Sequence, residues 1–194
     1  MNEYITNTRY AAENLVMLVW AENQHLQNKM CSLKMLQDAA CNEFESMKKT
    51  RFTAEGLIEL GGLEDACQRH RSEIVTMRQF IQTTGLSRSV IAGGVLQIAK
   101  QGISQVYSGL HACPNGRSLG AEPLKNVIWQ ARNQTTHFEE GQYSNAVRRC
   151  FRNLESQYGP RFQLARENLA FEVLQALGWR SYSAYERDMH TLLR

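Results

Sequence analysis

The chain has 194 residues, of which 43% are hydrophobic and 21% charged, a composition ordinary for a globular protein and long enough for one sizeable core but too short to favour two. Its 22 Lys and Arg against 19 Asp and Glu leave a net charge of +3, too little by itself to mark a polyanion binder. No apolar run approaches a membrane span, and the N-terminus MNEYITNTRY lacks the basic-then-apolar order of a signal peptide. A single all-helical domain over 1–194 is therefore expected, without a membrane segment and with its motif-bearing half at roughly 87–194.

Thr8 to Lys49 contains neither Gly nor Pro, and apolar residues recur from Ala11 and Leu15 through Leu26 and Leu33 to Phe44 and Met47. That spacing predicts helix, either one rod or two with a break near Asn23 to Asn28. A continuous helix of 40 residues would span about 60 Å, so a bend, a break or an overhang that meets a partner chain is expected. A short helix from Thr53 to Leu60 should end at Gly61-Gly62, and another from Leu63 to about Thr83 should be closed by Gly85. Ser87 then reads as the N-cap of a weakly charged helix, RSVIAGGVLQIAKQGISQVYSGL. Its Gly93, Gly94 and Gly102 weaken helix propensity, which points to close packing at the centre of the bundle.

His111 to Glu122 is a loop with Pro-Asn-Gly turn chemistry. It leads into Pro123 to Gly141, where Pro suits the first turn of a helix and Gly the position past its end. Leu124, Val127, Ile128, Ala131 and Thr135 form the apolar stripe. Asn133 and His137 are four apart and stack, whereas Arg132 and His137 are five apart, roughly 140° around the axis. Both could line a cleft on the flank of the helix. Ser144 to Tyr158 is the next helix, with Val147, Phe151 and Leu154 inward and Arg148, Arg149 and Arg152 as one basic patch. Gly159-Pro160 breaks the chain, Phe162 to Leu177 is read as a helix stopped by Gly178, and Ser183 with Glu186 as the capping box of a final helix to Leu193. No strand pattern is visible.

Charge is unevenly distributed. Residues 1–116 carry 11 cations and 11 anions, and residues 117–194 carry 11 and 8, so the whole excess lies with the motif half. Ten of those eleven later cations are Arg, the residue whose planar fork suits phosphate. The Arg69-His70-Arg71 cluster is better read as a solvated face. Five dispersed cysteines, at 31, 41, 67, 113 and 150, contain no metal-type pair and fit a reducing cytoplasm. Cys67 with His70 supplies two ligands, too few for a metal site. No cofactor is implied.

Arg132-Asn133-Gln134-Thr135-Thr136-His137 resembles the R-x4-6-H motif of the HEPN superfamily, including the polar residue after the Arg. The resemblance covers this helix alone. It implies a HEPN-like helical bundle, here with a long N-terminal helical region, and a metal-independent endoribonuclease of a toxin or anti-phage system. It also implies a homodimer with a composite site, and an antitoxin or defence-system partner protein. The motif departs from the R-x4-H-x-Y form of HepT-type toxins, since Glu139 stands where that form has Tyr.

The chemistry expected of these residues follows from RNA itself. Its 2′-OH can attack the adjacent phosphorus if the protein moves protons and stabilises the added negative charge. His137 would be the acid or base, Arg132 the cation on the phosphoryl oxygens, and Asn133 a donor to the phosphate or to His137. Arg148, Arg149 and Arg152 would hold RNA phosphates. One imidazole does not readily serve as acid and base in the same step, which is why a second copy facing it is expected. A non-catalytic helical module that binds protein or nucleic acid is the alternative.

Overall fold

The computed structural model describes residues 2–50, 54–165 and 167–194, and the chain is all-α. Helix α1 is Glu3–Lys49 and α2 is Ala54–Tyr107. A minimal antiparallel pair follows, β1 (Ser118–Leu119) with β2 (Glu122–Pro123), in which Ser118 is opposite Pro123 and Leu119 opposite Glu122. Then come α3 (Leu124–His137), α4 (Asn145–Tyr158), a 3-10 turn at Pro160–Phe162, α5 (Ala170–Leu177) and α6 (Tyr182–Leu192).

Several expected boundaries are corrected. Helix α1 is the single rod of its two alternatives, but α2 continues through Gly61, Gly62, Gly85 and Ser87, so Gly85 ends no helix and Ser87 caps none. Thr53, the expected start of a short helix, lies outside the described residues. A helical Gly costs about 1 kcal/mol relative to Ala, and a repeating buried face outweighs that. Between Phe162 and Leu177 only Ala170–Leu177 is α-helix; Arg166 in that stretch is not described. The last helix is capped two residues earlier than expected, by Ser181, whose Oγ accepts from Ala184 N at 3.3 Å. The short strand pair is an addition, formed where the loop chain doubles back at Gly120, φ 58°.

The chain divides into two compact units: Met1–Ala21 with Leu86–Arg194, and Glu22–Gly85. In the first, α2 supplies Val95, Leu96, Ala99 and Ile103, all without solvent exposure, as expected of a central helix. They pack in one cluster with Val16 of α1, Val127 and Ile128 of α3, Phe151 and Leu154 of α4, Leu174 of α5 and Met189 of α6. A buried carboxylate ties the C-terminal part together. Asp188 accepts from Arg117 Nε at 2.9 Å, from Arg117 Nη2 at 2.8 Å and from Trp179 Nε1 at 2.8 Å. Arg117 Nη2 also donates to Leu177 O at 2.5 Å, and the carboxylate hydrogen bonds raise the pKa of this guanidinium.

The second unit is a helical hairpin of the C-terminal part of α1 and the N-terminal part of α2. His70 Nδ1 lies 2.9 Å from the Glu43 carboxylate and Cys67 Sγ 3.8 Å from Met47 Sδ, so the Cys67 and His70 side chains serve helix-to-helix contact. Among the described residues no helix is long and apolar enough to cross a membrane.

Asp188→Ala would leave the buried Trp179 indole N–H without its acceptor and release the Arg117 fork, which already reaches solvent. Urea unfolding is expected to show a loss of about 2 kcal/mol, most of it from the indole N–H, with Asp188→Asn milder because it keeps an acceptor.

Candidate functional site

Helix α3 is positioned from its first turn. Pro123 is its N-cap in extended conformation, and the loop before it supplies acceptors: Leu124 N donates to Arg117 O at 2.8 Å and Lys125 N to Asn115 O at 3.3 Å. Leu124, Val127, Ile128 and Ala131 are buried and Thr135 is half-buried. The helix ends at His137, and Gly141 N donates to Phe138 O at 3.3 Å with Gly141 at φ 66°.

Within this helix the motif residues diverge. Arg132 is half-buried, and its Nε donates to Gln97 Oε1 of α2 at 2.5 Å. Asn133, also half-buried, has no side-chain hydrogen bond among the described residues. His137 is half-exposed and its Nδ1 lies 3.3 Å from both carboxylate oxygens of Glu140. It lines an open concavity of about 560 Å³ together with Glu140, Gln142, Tyr143, Ser144 and Arg148. Arg132 does not line that concavity, in keeping with the wide angle between residues five apart on a helix.

The basic patch on α4 divides similarly. Ser144 caps this helix through Val147 N at 3.3 Å. Arg148 Nε donates to Tyr143 O at 3.0 Å, which orients the guanidinium along the concavity that His137 shares. Arg148 and Arg152 also border an adjoining hollow of about 160 Å³ with Phe151, Glu155, Phe162 and Leu164. Arg149 is exposed and borders neither. Among the described residues none of these three arginines has a carboxylate partner within ion-pair distance, so their charge faces solvent.

Three side chains matter here that the motif did not single out. Glu140 holds the imidazole, and its three-residue offset from His137 was available as a signal. Gln97 comes from a helix 35 residues away and left none. Gln134, inside the motif, is fully buried: its Nε2 donates to Glu167 O at 2.7 Å and to Tyr143 Oη at 3.4 Å, and its Oε1 accepts from Leu169 N at 3.1 Å. It binds α3 to the segment before α5 and to Tyr143 at the concavity. Tyr143 Oη donates onward to Ala165 O at 2.7 Å. Among the described residues no group of three His, Cys, Asp or Glu converges as for a metal ion.

Gln134→Ala would leave the buried Leu169 N–H without an acceptor and free Tyr143 on one side. A loss of about 2 kcal/mol in chemical unfolding is expected, with Gln134→Glu no milder because its carboxylate would face the Glu167 carbonyl oxygen to which the amide now donates. No protein-family model matches the chain, and no curated protein or solved structure is significantly similar to it.

Proposed function

We propose that this protein is a metal-independent endoribonuclease of the HEPN kind. The observation that carries the proposal is the open concavity in which His137, held by Glu140, and Arg148, held by the Tyr143 carbonyl, meet. A proton-transfer group and an unpaired cation on one wall are what phosphodiester transesterification requires. With Nδ1 turned to Glu140, Nε2 of His137 is the nitrogen that exchanges a proton with RNA. The 2′-oxygen loses its proton and bonds to phosphorus, the bond from phosphorus to O5′ breaks, and O5′ takes up a proton. The products are a 2′,3′-cyclic phosphate and a free 5′-hydroxyl.

Arg132 enters this scheme from a second copy. Its guanidinium is directed by Gln97 and lies outside the concavity of its own His137, so a two-fold dimer would set Arg132 of one chain, with Asn133, beside His137 of the other. Arg148, Arg149 and Arg152 would carry the flanking phosphates. The biological setting rests on the motif resemblance: a cytoplasmic toxin or anti-phage effector restrained by a partner protein. The placement of Arg132 also favours a second reading, a non-catalytic helical module in which Arg132 serves packing against α2.

RNA cleavage in excess EDTA separates the two. Wild type is expected to cut, His137→Ala to lose at least about 10²-fold and Arg132→Ala a similar factor. Equal activity in all three discards the site, and no activity in wild type selects the binding module. Mixing the two inactive variants tests the composite site. Half of the reassorted dimers carry one intact site of two, so about a quarter of wild-type activity should return; no recovery places both residues in one chain's site.

A further inference from the structure

The hollow that adjoins the His137 concavity lies on one face of α4 and is closed by the 3-10 turn. Arg148, Phe151, Arg152 and Glu155 line it at three- and four-residue steps, which put them on one side of the helix. Phe151 and Phe162 are buried at its base, and Leu164 is half-buried at its edge. The wall that carries Leu164 is tied on both sides. Gln163 N donates to Pro160 O at 2.9 Å, and Ala165 O accepts from Tyr143 Oη at 2.7 Å.

The charges of this hollow are unlike those of a phosphate site. Glu155 is half-buried and three residues from Arg152, a spacing at which the two side chains can pair. Among the described residues the Glu155 carboxylate pairs with neither Arg152 nor Arg148. Arg148 holds the Tyr143 carbonyl through Nε alone, which leaves its two terminal nitrogens for a ligand. An anion placed here meets the carboxylate, and a cation meets two guanidinium groups. A neutral ligand suits the hollow better, one with donors on one edge, acceptors on the next and an apolar face. At about 160 Å³ the space takes one small ring system, well under the roughly 300 Å³ at which sites for drug-sized ligands begin.

Among the RNA bases guanine has that pattern. Its N1–H and N2–H are adjacent donors that match the two oxygens of one carboxylate, and its O6 and N7 are adjacent acceptors that match the fork of an Arg. Adenine and cytosine set a donor beside an acceptor, and uracil sets one donor between two acceptors. We infer that the hollow is a guanine subsite. Glu155 accepts from N1–H and N2–H, Arg152 donates to O6 and N7, and Leu164 lies against the ring. Arg148, common to the hollow and to the concavity of His137, holds the phosphate between base and cut. Arg152 thereby passes from a phosphate contact to a base contact. The inference rests on the reading of the concavity as an RNA-cleaving site and names the nucleotide it selects: cleavage falls at a phosphate adjoining a guanosine.

Fluorescence anisotropy with 2′-O-methyl RNA hexamers, which lack the attacking hydroxyl, tests the subsite apart from cleavage. A uridine hexamer carrying one guanosine should bind the full chain at least about ten-fold more tightly than the same hexamer carrying adenosine. Inosine, which lacks only the N2 amine, should fall between them. Glu155→Gln turns an amide donor toward the donors of guanine and should bring the guanosine and adenosine hexamers to within about two-fold of each other. Replacing guanosine by 7-deazaguanosine, which lacks N7, should weaken binding to wild type and leave Arg152→Ala indifferent. Circular dichroism showing equal helix content in every form excludes misfolding as the cause. GMP should compete at least about ten-fold more weakly than the guanosine hexamer, because it lacks the flanking phosphates; GMP as tight as the hexamer would make the ligand a free nucleotide and overturn the subsite. Wild type that binds guanosine and adenosine hexamers equally, or Glu155→Gln that keeps the preference, would also overturn it. Cleavage is read separately on RNA of mixed sequence. Cuts placed without regard to guanosine remove the subsite and leave the endoribonuclease, whereas guanosine-selective binding without cleavage leaves the subsite and removes the endoribonuclease.

Discussion

A side chain at Gly102 would begin 2.7 Å from the Tyr4 ring and 2.8 Å from Leu193, closer than any packed carbon can sit. The N-terminal turn of α1 and the C-terminal residues close on α2 only because that position is a hydrogen. Polar bonds then hold the approach: Tyr4 Oη donates to Ile98 O at 2.6 Å, Asn2 Nδ2 to Leu193 O at 3.1 Å and Tyr107 Oη to Leu192 O at 2.8 Å. Burial pushes the Tyr4 hydroxyl up to about 12, so it remains a donor throughout the physiological range. The other side of α2 packs against the helix of the candidate site. Gly93 leaves an added Cβ at ordinary contact distance, 3.8 Å, from Thr135, and four residues on, Gln97 takes the Arg132 guanidinium.

Buried polar groups divide between those that fasten elements and those whose charged form burial disfavours. Glu122 is a fastener: it accepts from Asn153 Nδ2 at 2.6 Å and from the Asn126 amide, joining the strand pair to α3 and α4. Arg88 and Glu172 are of the other sort. Their closest atoms are 3.9 Å apart, and the Arg88 guanidinium lies 3.7 Å from the centre of the Phe171 ring. Desolvation raises the Glu172 pKa despite the opposing pull of Arg88, and desolvation lowers that of Arg88. The folded state therefore holds the Glu172 proton to a higher pH than the unfolded chain does. The stability associated with that proton is present at low pH and is lost as pH rises through the folded-state value.

The hairpin shows how a repeating face overrides local signals. Gly61 and Gly62 are ordinary helix terminators by composition, yet the three-and-four spacing from Leu60 to Ile81 runs through them. Each turn of buried contact contributes more than a single glycine costs. Of the two readings of α1, the single rod holds over the break near Asn23 for the same reason, since Val19, Leu26 and Leu33 keep the seven-residue interval across it.

Sequence alone determined the helical class, the start of α3 at Pro123, the start of α4 at Ser144 and the stop at Gly178, because caps, prolines and apolar spacing are local; the end of α3 at His137, short of the expected Gly141, was not read from it. It also indicated that His137 and Arg148 lie near each other, since their helices are joined by a short connection. Tertiary structure decided the rest. That Arg132 turns to Gln97, that Gln134 is the buried clasp of the motif helix, and that Asp188 gathers Arg117 and Trp179 all depend on partners 9 to 71 residues away. Side chains choose such partners by burial and hydrogen-bond geometry, and neither is encoded in the spacing of a single helix.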